Sequence, residues 1–126
     1  PVPGHTTPSG GHPGCCAAGL AALEFILSEG LMEQADAKGA QYERRLAGHP
    51  AVREIRRTGL LMGVEFGDPA LTQRIVLRAV ERGLMTEWFL FRDTAMRIAP
   101  PLTITPAEID ESCDILLDVL REVTGS

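Results

Sequence analysis

The sequence predicts an α+β fold, in which an antiparallel or mixed sheet of about four strands is covered by helices and preceded by a long, interrupted helix. Apolar residues recur at helical spacing in some segments and alternate with period two in others. These segments follow in the order helix, helix, strand, strand, helix, strand, strand, helix. At 126 residues, 44% of them hydrophobic, the chain suits one domain with a buried core.

The chain begins with a segment that predicts a loop, because residues 1–12 are rich in proline and glycine. We interpret it as continuing from an upstream segment, and residues 13–126 as the domain proper. Pro13 is typical of a first helical residue, and leucines at helical spacing follow it among alanines. Residues 28–30 interrupt this helix, and a second helical pattern runs over 31–47. The first helix has small side chains on nearly every side, which favours packing against more than one neighbour.

The period then changes, and residues 52–57 and 60–66 alternate as strands do. Thr58 and Gly59 between them indicate the tight turn of a hairpin. In the second strand, one face carries Met62, Val64 and Phe66, and the other carries Leu61, Gly63 and Glu65.

A third helix is predicted from Asp68, as N-cap, and Pro69 down to Gly83. Its apolar stripe comprises Leu71, Ile75, Val76, Ala79 and Val80. Residues 84–91 predict a further strand that is rich in large residues. We expect its aromatic side chains to pack in the core rather than to stack on a ligand: Trp88, Phe89 and Phe91.

The last strand carries Arg97 on the face opposite Met96 and Ile98, because side chains alternate along a strand. Pro100 and Pro101 then end the pairing, since neither donates a ladder hydrogen bond. A guanidinium with only alanines beside it can receive a carboxylate through two parallel hydrogen bonds. The alternative is an edge-strand arginine in a surface ion pair.

The last helix has a capping box, Thr105 to Glu108, with Pro106 at its first position. Its buried stripe is Ile109, Cys113, Leu116 and Leu120. Lys38 is the only lysine, and its alanine-rich surroundings predict the solvent side of a helix. Chemistry that needs a buried lysine amine therefore has no other candidate in this chain.

Composition excludes several classes of function. A net charge of −5 argues against nucleic acid or an anionic membrane as partner. The three cysteines, Cys15, Cys16 and Cys113, suit reduced thiols in the cytoplasm. His5 and His12 lack the further ligands that a metal ion needs, so no metal site is predicted.

Three blocks of the sequence resemble the C-terminal part of class III (subgroup II) pyridoxal-phosphate (PLP) aminotransferases, the ornithine, acetylornithine and 4-aminobutyrate group. Residues 5–13 (HTTPSGGHP) are similar to the family segment H-x-x-T-[FY]-G-G-[NH]-P. Residues 57–65 (RTGLLMGVE) resemble a family hairpin, and residues 96–105 (MRIAPPLTIT) are close to the run that precedes the family's last helix. In order, the blocks span essentially the whole chain.

The resemblance implies a small C-terminal domain beside a large PLP-binding domain, in enzymes that are at least dimers. It implies that Arg97 grips the substrate carboxylate and that the first loop reaches the cofactor phosphate of the other subunit. There Pro8 replaces the family's threonine and offers no hydroxyl, so Thr7 is the candidate to substitute for it. The family's Schiff-base lysine lies upstream of these blocks. The chain alone is therefore expected to be inactive and without bound cofactor, and no catalytic residue is assigned to it.

The resemblance thus predicts part of an aminotransferase that moves an amino group between an ornithine- or acetylornithine-like amino acid and a 2-oxo acid. This chain is expected to contribute the binding of the substrate carboxylate and contacts in the dimer. Two alternatives stay open: a stand-alone, non-catalytic module that binds a small carboxylate, and a structural remnant that associates through its first helix and loop.

Overall fold

The computed structural model describes residues 10–125, which form helices and strands in the predicted order. The helices are α1 (Pro13–Ser28), α2 (Leu31–Leu46), α3 (Pro69–Glu81) and α4 (Pro106–Thr124). The strands are β1 (Glu54–Thr58), β2 (Leu61–Glu65), β3 (Glu87–Phe89) and β4 (Arg92–Ile98). The predicted α+β class is therefore confirmed.

The strands form one antiparallel sheet in the order β1-β2-β4-β3, so β4 is an interior strand. The β1–β2 hairpin pairs Thr58 with Leu61. Its turn residues are thus Gly59 and Leu60, one position later than predicted. Gly59 has a φ of +56°, a left-handed conformation that glycine adopts at little cost.

Helices α2, α3 and α4 cover one face of the sheet, and the core lies between them and that face. Its central strand residues are Met62, Val64 and Met96. The predicted α4 stripe is fully buried, and both hydrogen bonds of its capping box are present. Asp68 caps α3 as predicted, by accepting from the backbone N–H groups of the first turn. We call the other face of the sheet, away from these helices, the open face.

Helix α2 passes very close to the β1–β2 turn. Gly39 of α2 is buried, and a Cβ there would lie 2.0 Å from the carbonyl oxygen of Gly59. Only a residue without a side chain permits this approach. The contact fixes the position of α2 over the hairpin.

Helix α1 buries no residue within the described part of the chain, and its main contact there is with α2. The packing against several neighbours that its small residues predict is therefore not formed within residues 10–125. Its large apolar side chains stay about half exposed: Leu20, Leu23, Phe25 and Leu27. No single helix in the described range is long and apolar enough to cross a membrane, although α1 and α2, bent by 70°, satisfy length and composition as a pair.

Three predictions about burial are wrong. Phe91 is 96% exposed, because it lies in the turn between β3 and β4, and Trp88 is 40% exposed. Val80 is half exposed, since the buried side of α3 contains Thr72 instead. Lys38 is not on the solvent side of α2 but is half buried, and its Nζ donates a 2.7 Å hydrogen bond to the carbonyl oxygen of Leu102.

Candidate carboxylate site on the open face

A row of four residues crosses the open face at one level of the sheet. Arg56 of β1 pairs with Gly63 of β2, Gly63 pairs with Arg97 of β4, and Arg97 pairs with Glu87 of β3. Residues directly opposite each other in an antiparallel ladder have Cβ atoms about 5 Å apart. Arg97 thus has a glycine on one side and a carboxylate on the other.

Arg97 forms an ion pair with Glu87 through its Nη2 and the Oε1 of Glu87. Both side chains are about half exposed, at 44% and 56%. The pair lies in a depression of about 250 Å³ that Met85, Thr86 and Ala99 also line. Thr86 Oγ1 donates a 2.6 Å hydrogen bond to the backbone oxygen of Arg97, which ties the two strands together here.

Of the two interpretations of Arg97, the structure contains the ion pair but not the edge strand. The guanidinium is held by an interior strand and binds a carboxylate of the same chain. Of the two alanines predicted beside it, Ala95 is fully buried and Ala99 is exposed. The geometry is therefore that of a group able to bind a carboxylate at a partly open surface.

Gly63 provides the space for an aromatic ring beside Arg97. A Cβ at Gly63 would lie 3.1 Å from Cε2 of Phe89, closer than side chains normally approach. Phe89 is half buried and also lines a second depression, of about 440 Å³, with Arg56 and Arg92. Glycine at this ladder position thus lets the Phe89 ring approach the β2 backbone on the open face.

Glu65 is the buried carboxylate of the open face, with 5% of its surface exposed. It accepts hydrogen bonds from Arg92 Nε at 2.8 Å, from Arg56 Nη2 at 3.3 Å and from the backbone N–H of Gly67 at 3.0 Å. Burial by itself raises the pKa of Glu65, but hydrogen bonds from Thr94, Arg92 and Gly67 outweigh it and hold the pKa at about 2. This ionised group joins β2 to the turn end of the β3–β4 hairpin, where Arg92 begins β4.

Comparison with known proteins identifies the family. The model of the aminotransferase class-III family matches residues 1–120. The chain belongs to the class-III aminotransferases. The acetylornithine aminotransferase of Caldanaerobacter subterraneus is 40% identical over 123 residues, a match that covers 94% of this chain and 30% of that enzyme. The chain thus spans about 30% of the length of the curated relatives it matches.

Solved transaminase structures share the fold of this aminotransferase chain. A thermostable omega transaminase engineered for the synthesis of bulky amines superposes with a TM-score of 0.83 at 30% identity, over 97% of this chain and 30% of that one. The ornithine aminotransferase from Toxoplasma gondii superposes with a TM-score of 0.73 at 31% identity, over 87% and 27%. That enzyme has PLP at partial occupancy in its active site.

In this aminotransferase chain the one lysine side chain is engaged in the fold. Lys38 is the one lysine in the sequence, and its amine is bonded to the Leu102 carbonyl oxygen. Thr7 and Pro8, the predicted phosphate contacts, lie outside the described residues. Within residues 10–125, no three His, Cys, Asp or Glu side chains are arranged to hold a metal ion.

Sequence reasoning missed Glu87, because the register of the β3–β4 hairpin is irregular. Phe89 pairs with Arg92, and a regular ladder from there would place Glu87 opposite Thr94. A register shift after this pair places Glu87 opposite Arg97 instead. The one available signal was an acidic residue in the strand that precedes the Arg97 strand.

Proposed function

We propose that this chain is the small, C-terminal domain of a PLP-dependent aminotransferase and that Arg97 holds the carboxylate of its substrate. The enzyme moves an amino group between an ornithine- or acetylornithine-like amino acid and a 2-oxo acid. One observation carries the proposal: the Arg97 guanidinium lies on the open face with a carboxylate, that of Glu87, already bound to it. Membership of the class-III family supplies the reaction class.

The contribution of Arg97 is to bind and to orient. Its planar fork offers parallel donors to both oxygens of a carboxylate, which fixes the direction of the rest of the substrate. Exposed ion pairs of the Arg97–Glu87 type contribute only about 0–1 kcal/mol, so a substrate carboxylate displaces one at small cost. Orientation of this kind lowers the barrier because the reacting amine is already positioned.

The remaining machinery belongs to a large domain outside this chain. PLP, when bound there, supplies the electron sink for amino transfer. The support is twofold: Lys38 is engaged in a backbone hydrogen bond, and the chain spans about 30% of its relatives. We therefore assign cofactor anchoring to the large domain and expect this chain alone to be inactive.

Association with that large domain and with a second subunit involves the N-terminal part of the chain. Helix α1 buries no residue against the rest of the described structure and exposes four large apolar side chains. An apolar surface of this kind on a helix is typical of an interface. We assign these contacts to α1 and to the loop of residues 1–12, with Thr7 and Pro8 at the cofactor phosphate of the partner.

The three cysteines support a reducing, cytoplasmic location for the enzyme. Cys15 and Cys16 are exposed, Cys113 is buried, and all three are unpaired. Exposed, unpaired thiols are typical of proteins from reducing compartments.

The test is made on the complete enzyme with PLP, using amino acid donors and 2-oxo acid acceptors. We expect amino transfer, and we expect Arg97→Ala to raise KM and lower turnover for carboxylate-bearing substrates. Arg121→Ala is the control, because Arg121 is an exposed arginine of α4 that pairs with Asp118 on the helix layer. Kinetics unchanged by Arg97→Ala, or an enzyme that transfers no amino group, would contradict the proposal.

A further inference from the structure

We propose that the turn of the β3–β4 hairpin is a contact surface for a second copy of this chain, related to the first by a two-fold axis. Phe91 of each copy fills a depression beside Trp88 of the other copy, and Arg92 of each copy pairs with Asp93 of the other. The inference goes beyond the proposed function, because it concerns an assembly contact away from the carboxylate site.

The turn exposes large apolar side chains. Leu90 and Phe91 lie between the two strands, and 84% and 96% of their surfaces are exposed. Trp88, two residues before Leu90, is 40% exposed. Single apolar residues are common on a surface, but three large ones within four positions form a patch, and such patches mark contact sites. Aromatic side chains are also enriched in the interfaces between proteins.

A depression of about 390 Å³ lies beside this turn, and its lining residues are Pro69, Ala70, Gln73, Trp88 and Asp93. Its walls are the first turns of α3 and an indole ring, which suit an aromatic side chain. The projecting Phe91 and the depression belong to the same patch of surface. A two-fold axis beside them therefore places each Phe91 against the depression of the other copy, which is the self-complementarity that an isologous interface requires.

The charges of the turn match in the same arrangement. Arg92 directly follows Phe91, and its side chain is 58% exposed. Among the described residues, its Nε bonds to Glu65, and no partner is present for its two terminal nitrogens. Asp93 lines the depression and forms no ion pair within residues 10–125. When Phe91 enters the depression of the other copy, Arg92 thus arrives at an acidic wall, and the two copies form two equivalent pairs.

The position of the turn favours a second copy over the remainder of the same subunit. Strand β3 is at one edge of the sheet and β1 at the other, and α1 packs beside α2, the helix that contacts β1. The interface assigned to α1 therefore lies toward the opposite edge. Arg97 is five residues along β4 from Arg92, roughly 17 Å at about 3.3 Å per residue. A contact at the turn leaves both of these surfaces free.

The size of the contact predicts a weak association. An aromatic side chain buries about 150–250 Å², so the exposed aromatic and leucine surfaces of two turns bury on the order of 1,000 Å² together. Stable, specific interfaces begin at about 1,200 Å². The contact alone is thus slightly smaller than a permanent interface, and we expect the larger assembly to form reversibly as the protein concentration rises.

The test measures the mass of the complete enzyme by sedimentation at increasing protein concentrations. The mass should rise toward twice that of the basic particle. Phe91→Ala should weaken this association about tenfold or more, the loss expected when an aromatic side chain at the centre of an interface is truncated. Asp93→Arg should weaken it too, because cations of the two copies then face each other. PLP absorbance and activity should be unchanged in Phe91→Ala, since the side chain is exposed.

Met85→Ala is the matched control, because Met85 is also 96% exposed but lies in the loop before β3, and the association should be unchanged. A wild-type mass that is independent of concentration, or an association that neither Phe91→Ala nor Asp93→Arg weakens, would overturn the inference. Loss of PLP absorbance in Phe91→Ala at constant mass would also overturn it, since the large domain of the same subunit would then cover the turn. None of these results concerns carboxylate binding by Arg97, which its own kinetics test.

Discussion

Lys38 Nζ donates a 2.7 Å hydrogen bond to the carbonyl oxygen of Leu102. The bond joins α2 to the segment that follows Pro100 and Pro101, where β4 has ended. Neither proline can donate a backbone hydrogen bond, so the Lys38 bond adds a contact from another element to a segment that has few of its own. The one lysine of the chain therefore has a structural role, because it links two separate segments.

The first prediction concerns this lysine. Lys38→Met in the complete enzyme should keep PLP absorbance and activity, because the cofactor amine lies elsewhere. It should lower the free energy of unfolding by about 1.5–3 kcal/mol, the usual contribution of a hydrogen bond from a charged donor. Gln41→Ala is the control, since it removes a similar but exposed bond from α2 to the Pro106 carbonyl oxygen. Loss of PLP absorbance in Lys38→Met would assign the cofactor to Lys38 and refute this account.

The second prediction concerns the close contact between α2 and the β1–β2 turn. Gly39→Ala places a methyl group 2.0 Å from the backbone oxygen of Gly59, which has no side-chain freedom to give way. We expect the free energy of unfolding to fall by about 2–3 kcal/mol, measured by urea unfolding of the chain.

Gly19→Ala is the matched control, because Gly19 also lies within a helix but has no heavy atom of the described residues within 4 Å of its would-be Cβ. That substitution should stabilise the chain by up to about 1 kcal/mol through helix propensity. Equal effects of the two substitutions would show that α2 does not approach the turn as described.

The third prediction concerns Glu65. Glu65→Gln should destabilise the chain by about 2 kcal/mol at neutral pH, because it weakens charged hydrogen bonds at a buried position. The pKa of Glu65 is about 2 in the folded chain against an ordinary 4.5, so its contribution is complete above pH 4.5 and is lost as the pH falls towards 2. The difference between wild type and variant should therefore shrink over that range.

Glu54→Gln is the control for Glu65, because Glu54 is an exposed acid that also pairs with Arg56. Its effect on the free energy of unfolding should be within about 0.5 kcal/mol. A stability difference for Glu65→Gln that stays constant from pH 7 to pH 2 would contradict the assigned ionisation.

The fourth prediction concerns the covering of α1. Cys15 and Cys16 are exposed in the described structure, whereas burial raises the pKa of the Cys113 thiol to about 11. If α1 docks on the large domain, the first two cysteines should react slowly with a thiol reagent in the complete enzyme and quickly after unfolding. Cys113, buried in either case, is the internal reference. Rapid labelling of Cys15 and Cys16 in the native enzyme would count against docking of α1.

The sequence predicts helix caps and strand faces correctly, because they depend on residues that are close together in the chain. The α4 cap depends on Thr105 and Glu108, three residues apart, and the structure contains it as predicted. The face of β4 on which Arg97 lies follows from the alternation of side chains along one strand, so neighbouring residues are enough to predict it. The same holds for the two faces of β2.

Features that depend on long-range register could not be predicted in this way. The pairing of Glu87 with Arg97 requires the irregularity of the β3–β4 hairpin, which no turn signal in 90–94 specifies. The exposure of Phe91 depends on where the β3–β4 turn falls, since Phe91 lies between the two strands. Hydrophobicity alone indicates the core for such a residue, because it contains no information about where the neighbouring layer ends.

Binding of a substrate carboxylate by Arg97 can be tested with a pair of substrates, one with a carboxylate and one without. In the complete enzyme, kcat/KM is measured for ornithine and for 1,4-diaminobutane, which lacks the carboxylate, in wild type and in Arg97→Met. The substitution should lower kcat/KM for ornithine by roughly 100-fold, the effect of removing one buried or bidentate charged contact, and leave kcat/KM for the diamine almost unchanged. An equal loss for both substrates, or none for either, would contradict it.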